Sequence, residues 1–203
     1  MGVAAPEAGQ EPAARSGWEA RLTAPMIRPA TPDDAETIAQ IHVASWRESY
    51  AELMPAETLA GLDVAERAKV WRGIVAAGPA SDATFVLEFV GEAPLGFASC
   101  GAQRSDRLAV LGYPAEFEAI YILRRGQGRG GGRALMRVMA RHLLGQGWEA
   151  ASVWVFRDNP AARRFYEALG GVATGIDGTW TTHGLTLPDM SYGWRDLRGL
   201  ERE

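Results

Sequence analysis

The sequence is poor in cysteine, with Cys100 as the one cysteine among 203 residues. A single cysteine excludes an intrachain disulfide, and such a chain is typical of a reducing compartment. No apolar run approaches the roughly 20 residues of a membrane-spanning helix, and the opening residues lack the apolar stretch of a secretory signal. We therefore expect a cytoplasmic protein with no membrane partner.

An excess of positive charge is also missing, because 25 acidic residues outnumber 21 basic ones and give a formal net charge of −4. Polyanions repel such a chain, so we expect no nucleic-acid partner. The composition that is present, 47% hydrophobic and 23% charged, is typical of a soluble globular protein. The length is sufficient for one domain with a full core.

The chain divides into three segments of unequal length. Residues 1–25 are rich in Ala, Pro, Gly and Glu and contain only two large apolar side chains, Trp18 and Leu22. They bury too little surface to offset the entropy of ordering, so we expect a flexible leader. We expect the globular domain over residues 26–196 and a short tail over 197–203.

Hydrophobic periodicity predicts an α+β fold of three layers, with helices on both sides of a mixed sheet of about seven strands. Strands are expected at 27–30, 84–90, 95–100, 116–123, 151–156, 172–176 and 185–194. Helices are expected at 31–50, with Thr31 as N-cap, at 56–77 with a break near Gly61, at 130–144 and at 160–170. Leu59, Leu62, Val70, Trp71 and Ile74 form the expected apolar side of the second helical stretch. The sheet is expected to be mostly antiparallel, with one parallel strand–helix–strand crossover in its centre.

A glycine-rich turn, residues 127–133, lies between a predicted strand and a predicted helix. The first turn of a helix presents unpaired N–H groups and the positive end of the helix dipole, and glycine lets a ligand approach the backbone. The turn therefore predicts a site for a phosphate or pyrophosphate. Arg129 and Arg133 are candidates for additional cationic donors.

A competing interpretation of the turn is the dinucleotide fingerprint G-x-G-x-x-G, which residues 126–131 formally match. That fingerprint expects further strand–helix units and an acidic residue after the next strand. The chain offers only Asp158, and two terminal strands follow one more helix. A P-loop is excluded because no Gly-Lys-Ser/Thr follows the glycines.

Two motifs in order make the chain resemble the GNAT superfamily of N-acetyltransferases. Residues 127–132 match its acyl-CoA signature Q/R-x-x-G-x-G/A, and residues 159–170 match N-x-x-A-x-x-F-Y-x-x-L-G. Residues 116–122 resemble its fourth strand, and Ile27–Ala30 with His42–Trp46 resemble its first strand and helix. Gly131 departs from the pattern, because relatives usually carry a branched apolar residue there.

The resemblance implies acetyl-CoA as co-substrate, with its pantetheine arm between a splayed fourth and fifth strand. Backbone groups of the fourth strand would pair with pantetheine, and the N–H groups of the glycine turn would bind the pyrophosphate. The cofactor-binding residues it implies are Ile120, Tyr121, Ile122, Gln127, Gly128, Arg129, Gly130, Gly131, Gly132, Arg133, Asn159 and Tyr166.

The resemblance also implies direct attack by an amine, which requires a base. Glu116 and Glu118 are the candidate bases, and residues two apart on a strand share a face; both are equally compatible with a solvated strand end. Tyr166 matches the tyrosine that protonates the departing thiolate, although an aromatic residue there also packs on the sheet. Asn159 is both a helix N-cap and a pantetheine ligand in the family.

The acceptor pocket is expected to involve the first helix. His42, Trp46 and Tyr50 share one face of that helix by i, i+4 spacing, and the resemblance makes them candidate substrate-binding residues; core packing is the competing interpretation. His42, His142 and His183 lack the spacing of metal ligands, so we expect no metal.

Three functions remain open at this point. The favoured one is an N-acetyltransferase acting on an amine of a small molecule or a protein, and the resemblance is compatible with a homodimer. A non-catalytic acyl-CoA-binding sensor of the same fold and a dinucleotide-binding oxidoreductase are the alternatives. The loops at 101–115 and 177–185 carry no motif that identifies the acceptor.

Overall fold

The computed structural model describes residues 24–78, 82–182 and 184–201. The predicted leader therefore lies outside the described residues except for Ala24 and Pro25, and His183 lies outside them as well. Within the described part of the chain, no helix is long and apolar enough to cross a membrane.

Seven strands form one sheet in the order β1-β2-β3-β4-β5-β7-β6. The strands are β1 (Pro25–Pro29), β2 (Ala83–Phe89), β3 (Gly96–Ala102), β4 (Ala115–Ile122), β5 (Ala151–Phe156), β6 (Val172–Thr182) and β7 (Leu185–Trp194). All neighbours are antiparallel except β4 and β5. The predicted mixed, mostly antiparallel sheet with one central parallel crossover is confirmed.

Six α-helices accompany the sheet in the described ranges. They are α1 (Ala35–Ser49), α2 (Ala56–Ala60), α3 (Val64–Ala76), α4 (Asp106–Val110), α5 (Gly131–Gly145) and α6 (Pro160–Ala168). Short 3₁₀ helices span Pro32–Asp34, Arg124–Gly126 and Leu197–Glu201. Before α1, the Asp34 carboxylate accepts hydrogen bonds from the Thr31 N–H at 2.8 Å and from Arg28 at 2.7 Å, which fixes the start of the helical region as the sequence predicted.

The core joins the sheet to α5, whose apolar stripe is fully buried, and to buried residues of α1 and α3 such as Ile38 and Ala68. Leu197 and Leu200 join this core, so residues 197–201 are part of the folded unit rather than a separate tail. The predicted apolar side of the second helical stretch is partly wrong: Trp71 is buried, but Val70 and Ile74 are 51% and 41% exposed. Two further differences are α4, which lies inside a predicted loop, and β6, which continues to Thr182.

Strand β4 contains one extra residue relative to β3. Ser99 pairs with Ala119 and Cys100 with Phe117, which leaves Glu118 as a bulge. A bulge reverses the side-chain alternation beyond it. Phe117 accordingly packs on Trp194, whereas Tyr121, also odd-numbered, stacks on His42 of α1.

Candidate active site

A cleft opens where the parallel pairing of β4 and β5 stops. The two strands pair only over Ala115–Phe117 and Ala151–Val153. Both strands then continue, β4 to Ile122 and β5 to Phe156, without pairing to each other. The backbone groups of β4 that face this gap have no partner on β5. A cavity of about 1090 Å³ occupies the cleft.

Most of the predicted site residues line this one cavity, although they come from α1, β4, the glycine turn and α6. Those that do are Trp46, Tyr50, Glu116, Glu118, Ile120, Tyr121, Ile122, Gln127, Gly128, Gly130, Gly132, Arg133, Asn159 and Tyr166. His42, Arg129 and Gly131 are not among the lining residues. The tertiary structure therefore assembles the predicted set with three exceptions.

The glycine turn leaves its backbone open to a ligand at two positions. Gly128 and Gly130 adopt φ values of +72° and +82°, which favour glycine. A Cβ at either position would meet no atom within 4 Å, so the space beside the backbone is open. The helical hydrogen bonds begin with the Ala134 N–H, which donates to the Gly130 carbonyl at 3.1 Å. The N–H groups before it have no acceptor within the helix.

Gly131 serves packing rather than ligand access. A Cβ at this position would lie 2.6 Å from the Leu87 side chain of β2. The branched residue that relatives carry has no room here, because α5 approaches the sheet closely. The departure from the family pattern therefore has a local steric cause.

The Arg129 side chain has two partners that do not line the cavity. Its guanidinium lies 3.7 Å from the centre of the Phe89 ring and 2.6 Å from a carboxylate oxygen of Glu92. Neither partner lines the cavity, and the role of Arg129 as a cationic donor to the phosphates stays a prediction. The Phe89 ring at the end of β2 and the Glu92 carboxylate in the following turn both bind this guanidinium. Both residues lie more than 35 positions before Arg129, so the sequence alone did not predict these contacts.

Arg124 is a lining residue that sequence reasoning missed. Its backbone N–H donates to the Glu48 carboxylate at 2.7 Å, and its guanidinium donates to the Glu48 carbonyl at 2.8 Å. These bonds hold the end of β4 against the C-terminal end of α1. Gln127 adds a bond from its side-chain amide to the Ile122 carbonyl at 2.9 Å. The cavity mouth is thereby fixed on two sides.

Glu116 and Glu118 both reach Arg104, but they differ in how tightly they are held. Glu116 is 3% exposed and accepts from Arg104 at 2.6 Å and 3.2 Å. Glu118 lies 3.6 Å from the same guanidinium. Burial, aided by the charges of Asp82 and Glu116, raises the pKa of Glu118, and the attraction of Arg104 acts against that rise. A carboxylate with a raised pKa is the better proton acceptor near neutral pH.

Helix α6 presents Asn159 and Tyr166 to the cavity. The Asn159 side-chain oxygen accepts from the Ala162 N–H at 3.1 Å and so caps the helix. Tyr166 is only 5% exposed and packs edge-on against Trp194, with ring centres 6.0 Å apart. Burial raises the pKa of Tyr166, so its phenol is protonated throughout the physiological range.

The three predicted residues of α1 separate into two groups. Trp46 and Tyr50 line the cavity. His42 is buried behind it, where its Nδ1 accepts from the Trp71 indole at 3.1 Å and its ring stacks on Tyr121 at 4.9 Å. Burial lowers the pKa of His42 to about 3, so the imidazole is neutral. His42 therefore lies in the core and does not line the cavity, and its role as a substrate-binding residue stays a prediction.

The far end of the cavity is formed by residues that the sequence did not single out. Trp154 and Phe156 come from β5, and Trp180 and Asp189 come from the hairpin of β6 and β7. A long β6 brings this hairpin across the cleft, and the sequence predicted only its first five residues. Among the described residues, no group of three His, Cys, Asp or Glu side chains could hold a metal ion.

Comparison with known proteins agrees with this geometry. Residues 36–171 match the model of the acetyltransferase (GNAT) family. The chain belongs to this family. YuaI of Bacillus subtilis (strain 168), described as an uncharacterized N-acetyltransferase, is 34% identical over 175 residues, or 86% of this chain and 95% of YuaI.

Solved structures share the fold of this GNAT chain at lower identity. The PaiA N-acetyltransferase of Thermoplasma acidophilum superposes with a TM-score of 0.67 at 16% identity, covering 84% of this chain and 99% of PaiA. YncA of Salmonella typhimurium, a putative acetyltransferase, superposes with a TM-score of 0.59 at 22% identity, covering 85% and 94%. The family and fold inferred from the two motifs are confirmed, and the protein is an acetyltransferase of the GNAT family.

Proposed function

We propose that this enzyme transfers the acetyl group of acetyl-CoA to an amine through direct attack. The observation that carries the proposal is the continuity of the cleft. One cavity joins the unpaired edge of β4 to the open backbone of the glycine turn at Gly128 and Gly130. An extended arm ending in a pyrophosphate needs this combination of a strand edge and a helix N-terminus.

The residues present fit coenzyme A in both of its parts. Amides of pantetheine can pair with the exposed backbone of Ile120–Ile122, as an added strand would. The pyrophosphate fits the N–H groups of the turn, with Arg133 among the lining residues. The solved relatives from Thermoplasma and Salmonella were determined with coenzyme A and acetyl-CoA respectively, which supports the same ligand class here.

Glu118 is our proposed base. The attacking amine has to lose a proton, and Glu118 offers a cavity-lining carboxylate whose pKa is raised by burial. Glu116 accepts two hydrogen bonds from the Arg104 guanidinium and one from the Arg104 backbone N–H, so we assign it the role of positioning that guanidinium. The acceptor nitrogen bonds to the carbonyl carbon, the carbon–sulfur bond breaks, and the ammonium proton passes to Glu118.

Tyr166 is our proposed acid. Its neutral phenol can give a proton to the departing thiolate, and the raised pKa keeps that proton in place before the reaction. Asn159 lines the same cavity as Tyr166.

The acceptor is an amine of a small molecule or of a protein. We place the enzyme in the cytoplasm, as the single buried Cys100 suggests, and a homodimer stays an expectation that a solution mass would test.

The phosphate assignment is tested by a charge placed in the glycine turn. Gly128→Asp and Gly128→Asn fit the same open space and share the same backbone strain, because short polar side chains tolerate positive φ best. We expect the Asp variant to bind acetyl-CoA about tenfold more weakly than the Asn variant, from repulsion worth ~1.4 kcal/mol at about 4–6 Å. S-acetylpantetheine lacks the pyrophosphate and should bind the two variants alike.

Activity is tested by thiol release from acetyl-CoA with a panel of amines. Release that depends on an amine supports the transferase, and binding of acetyl-CoA without release for any amine would favour the sensor. Tight binding of NAD with no affinity for acetyl-CoA would contradict the proposal. Equal loss of affinity for both donors in Gly128→Asp would show that the phosphates lie elsewhere.

A further inference from the structure

Asp189 is a charged residue in the cavity that the proposed chemistry does not use. It lies on β7, paired across the sheet with Phe156 of β5 on one side and Gly178 of β6 on the other. Its Oδ1 atom is buried and has no hydrogen-bond partner, although the residue lines the cavity. A carboxylate oxygen that gives up water without gaining a donor carries a substantial free-energy cost.

Among the residues that the structure describes, no basic side chain pairs with Asp189, and its surroundings explain why. Arg157, the cation that follows β5, pairs with Asp177 at 2.8 Å instead. Burial is the main cause of the raised pKa of Asp189, and the neighbouring charge of Asp177 adds to it. A residue whose charged form is disfavoured in this way gains most from a cation brought by a ligand.

The approach to Asp189 is walled by aromatic rings. Trp46, Trp154, Phe156 and Trp180 line this end of the cavity. Gly178 lets the Asp189 carboxylate lie close beside the Trp154 ring, because a Cβ at residue 178 would lie 2.5 Å from Oδ1 and 3.0 Å from that ring. Tryptophan rings attract cations, and their apolar surface strengthens the attraction of the carboxylate by excluding water.

The position of Asp189 separates it from the reacting centre. Glu118 follows Phe117, which pairs with Val153, whereas Asp189 pairs with Phe156 three residues further along β5. In a fully paired sheet, two strand spacings of ~4.8 Å and two residues of ~3.3 Å would separate the two backbones by roughly 12 Å. The end of the β4–β5 pairing at Phe117 and Val153 increases that separation. An aliphatic chain that leads from an amine at Glu118 can span this separation and reach the Asp189 carboxylate.

Resting on the proposed function, we propose that Asp189 binds a second cationic group of the acceptor. The acceptor is then an aliphatic amine with another ammonium at the far end of its chain. The reacting amine sits at Glu118, the chain lies along the aromatic walls, and the distal ammonium donates to Asp189. Asp189 acts as a binding residue that selects doubly charged amines.

The test compares linear aliphatic diamines with n-alkylamines of the same length. Acceptor kinetics at saturating acetyl-CoA and calorimetric binding in the presence of coenzyme A are measured for the wild type, Asp189→Asn and Asp196→Asn. Asp189→Asn removes the charge without changing the shape. Asp196 pairs with Arg198 and does not line the cavity, so Asp196→Asn serves as the matched control.

We expect the wild type to prefer a diamine over its alkylamine by at least tenfold in kcat/KM. Asp189→Asn should raise the KM of the diamine about tenfold and leave that of the alkylamine and of acetyl-CoA within threefold. An equal loss for both amines would overturn the inference, since Asp189 would then act on the reacting nitrogen. No preference, or no diamine binding by calorimetry, would overturn it as well, while alkylamine turnover would leave the proposed transferase intact.

Discussion

Replacing Tyr166 by phenylalanine isolates the contribution of the phenol hydroxyl from that of the ring. The ring is 5% exposed and packs against Phe165 and Trp194, with ring centres at 5.3 Å and 6.0 Å. Phenylalanine keeps these contacts, so we expect the free energy of unfolding to change by less than about 1 kcal/mol. Any larger effect on turnover then belongs to the lost proton donor.

The size of that effect follows from general acid catalysis, which contributes about 10²- to 10⁴-fold to rate. Loss of the Tyr166 proton should therefore lower kcat at least 100-fold, or ~2.7 kcal/mol in the barrier. The KM for acetyl-CoA should stay within about threefold, because the hydroxyl acts on the leaving group rather than in binding. Thiol release, followed with a chromogenic disulfide, and coenzyme A binding by calorimetry measure the two quantities.

Tyr192→Phe is the matched control for this substitution. Tyr192 lies 6.3 Å from Tyr166 between ring centres, and its hydroxyl donates to Glu167 at 2.6 Å instead of lining the cavity. Its loss should cost about 1 kcal/mol of stability and leave turnover unchanged. Turnover of Tyr166→Phe within threefold of the wild type, or equal losses in both variants, would refute the role of Tyr166 as the acid.

Three further outcomes test the base, the turn and the buried histidine. Glu118→Gln should lower kcat/KM about 100-fold and remove the acidic limb of the pH profile. Because the pKa of Glu118 is raised, that limb should lie at a higher pH than the pKa of an ordinary glutamate. Glu116→Gln should mainly lower thermal stability. Gly131→Ala should lower the free energy of unfolding by about 1–3 kcal/mol because its Cβ meets Leu87, and denaturant titration would count against this if stability rose. His42 has a pKa of about 3 in the folded protein against 6.5 in the unfolded chain. As the pH falls from 6.5 toward 3, the free energy of unfolding of the wild type should therefore decrease by up to about 1.4 kcal/mol per pH unit. If His42→Gln showed the same dependence of unfolding free energy on pH, this prediction would be contradicted.

Local patterns were sufficient for most of the secondary structure. Pro160 after Asn159 predicted the start of α6, and the strand at Ala151–Phe156 matched its bounds, because capping and β-branched runs act over a few residues. The bulge at Glu118 was not predictable, since an inserted residue is defined only against the neighbouring strand. The burial of Leu197 likewise depends on contact with a helix more than 50 positions earlier.

The sequence by itself determined the family, the order of strands and helices, and the glycine turn, because these depend on neighbours along the chain and on two spaced motifs. The tertiary structure decided which residues share the cavity. It placed Arg104 on Glu116 and Asp189 beside the aromatic wall, and it turned Arg129 toward Glu92. A charged side chain can bind any of several oppositely charged or aromatic groups that are distant in sequence. The packed sheet and helices fix the distances to those groups, and these distances decide which contact forms.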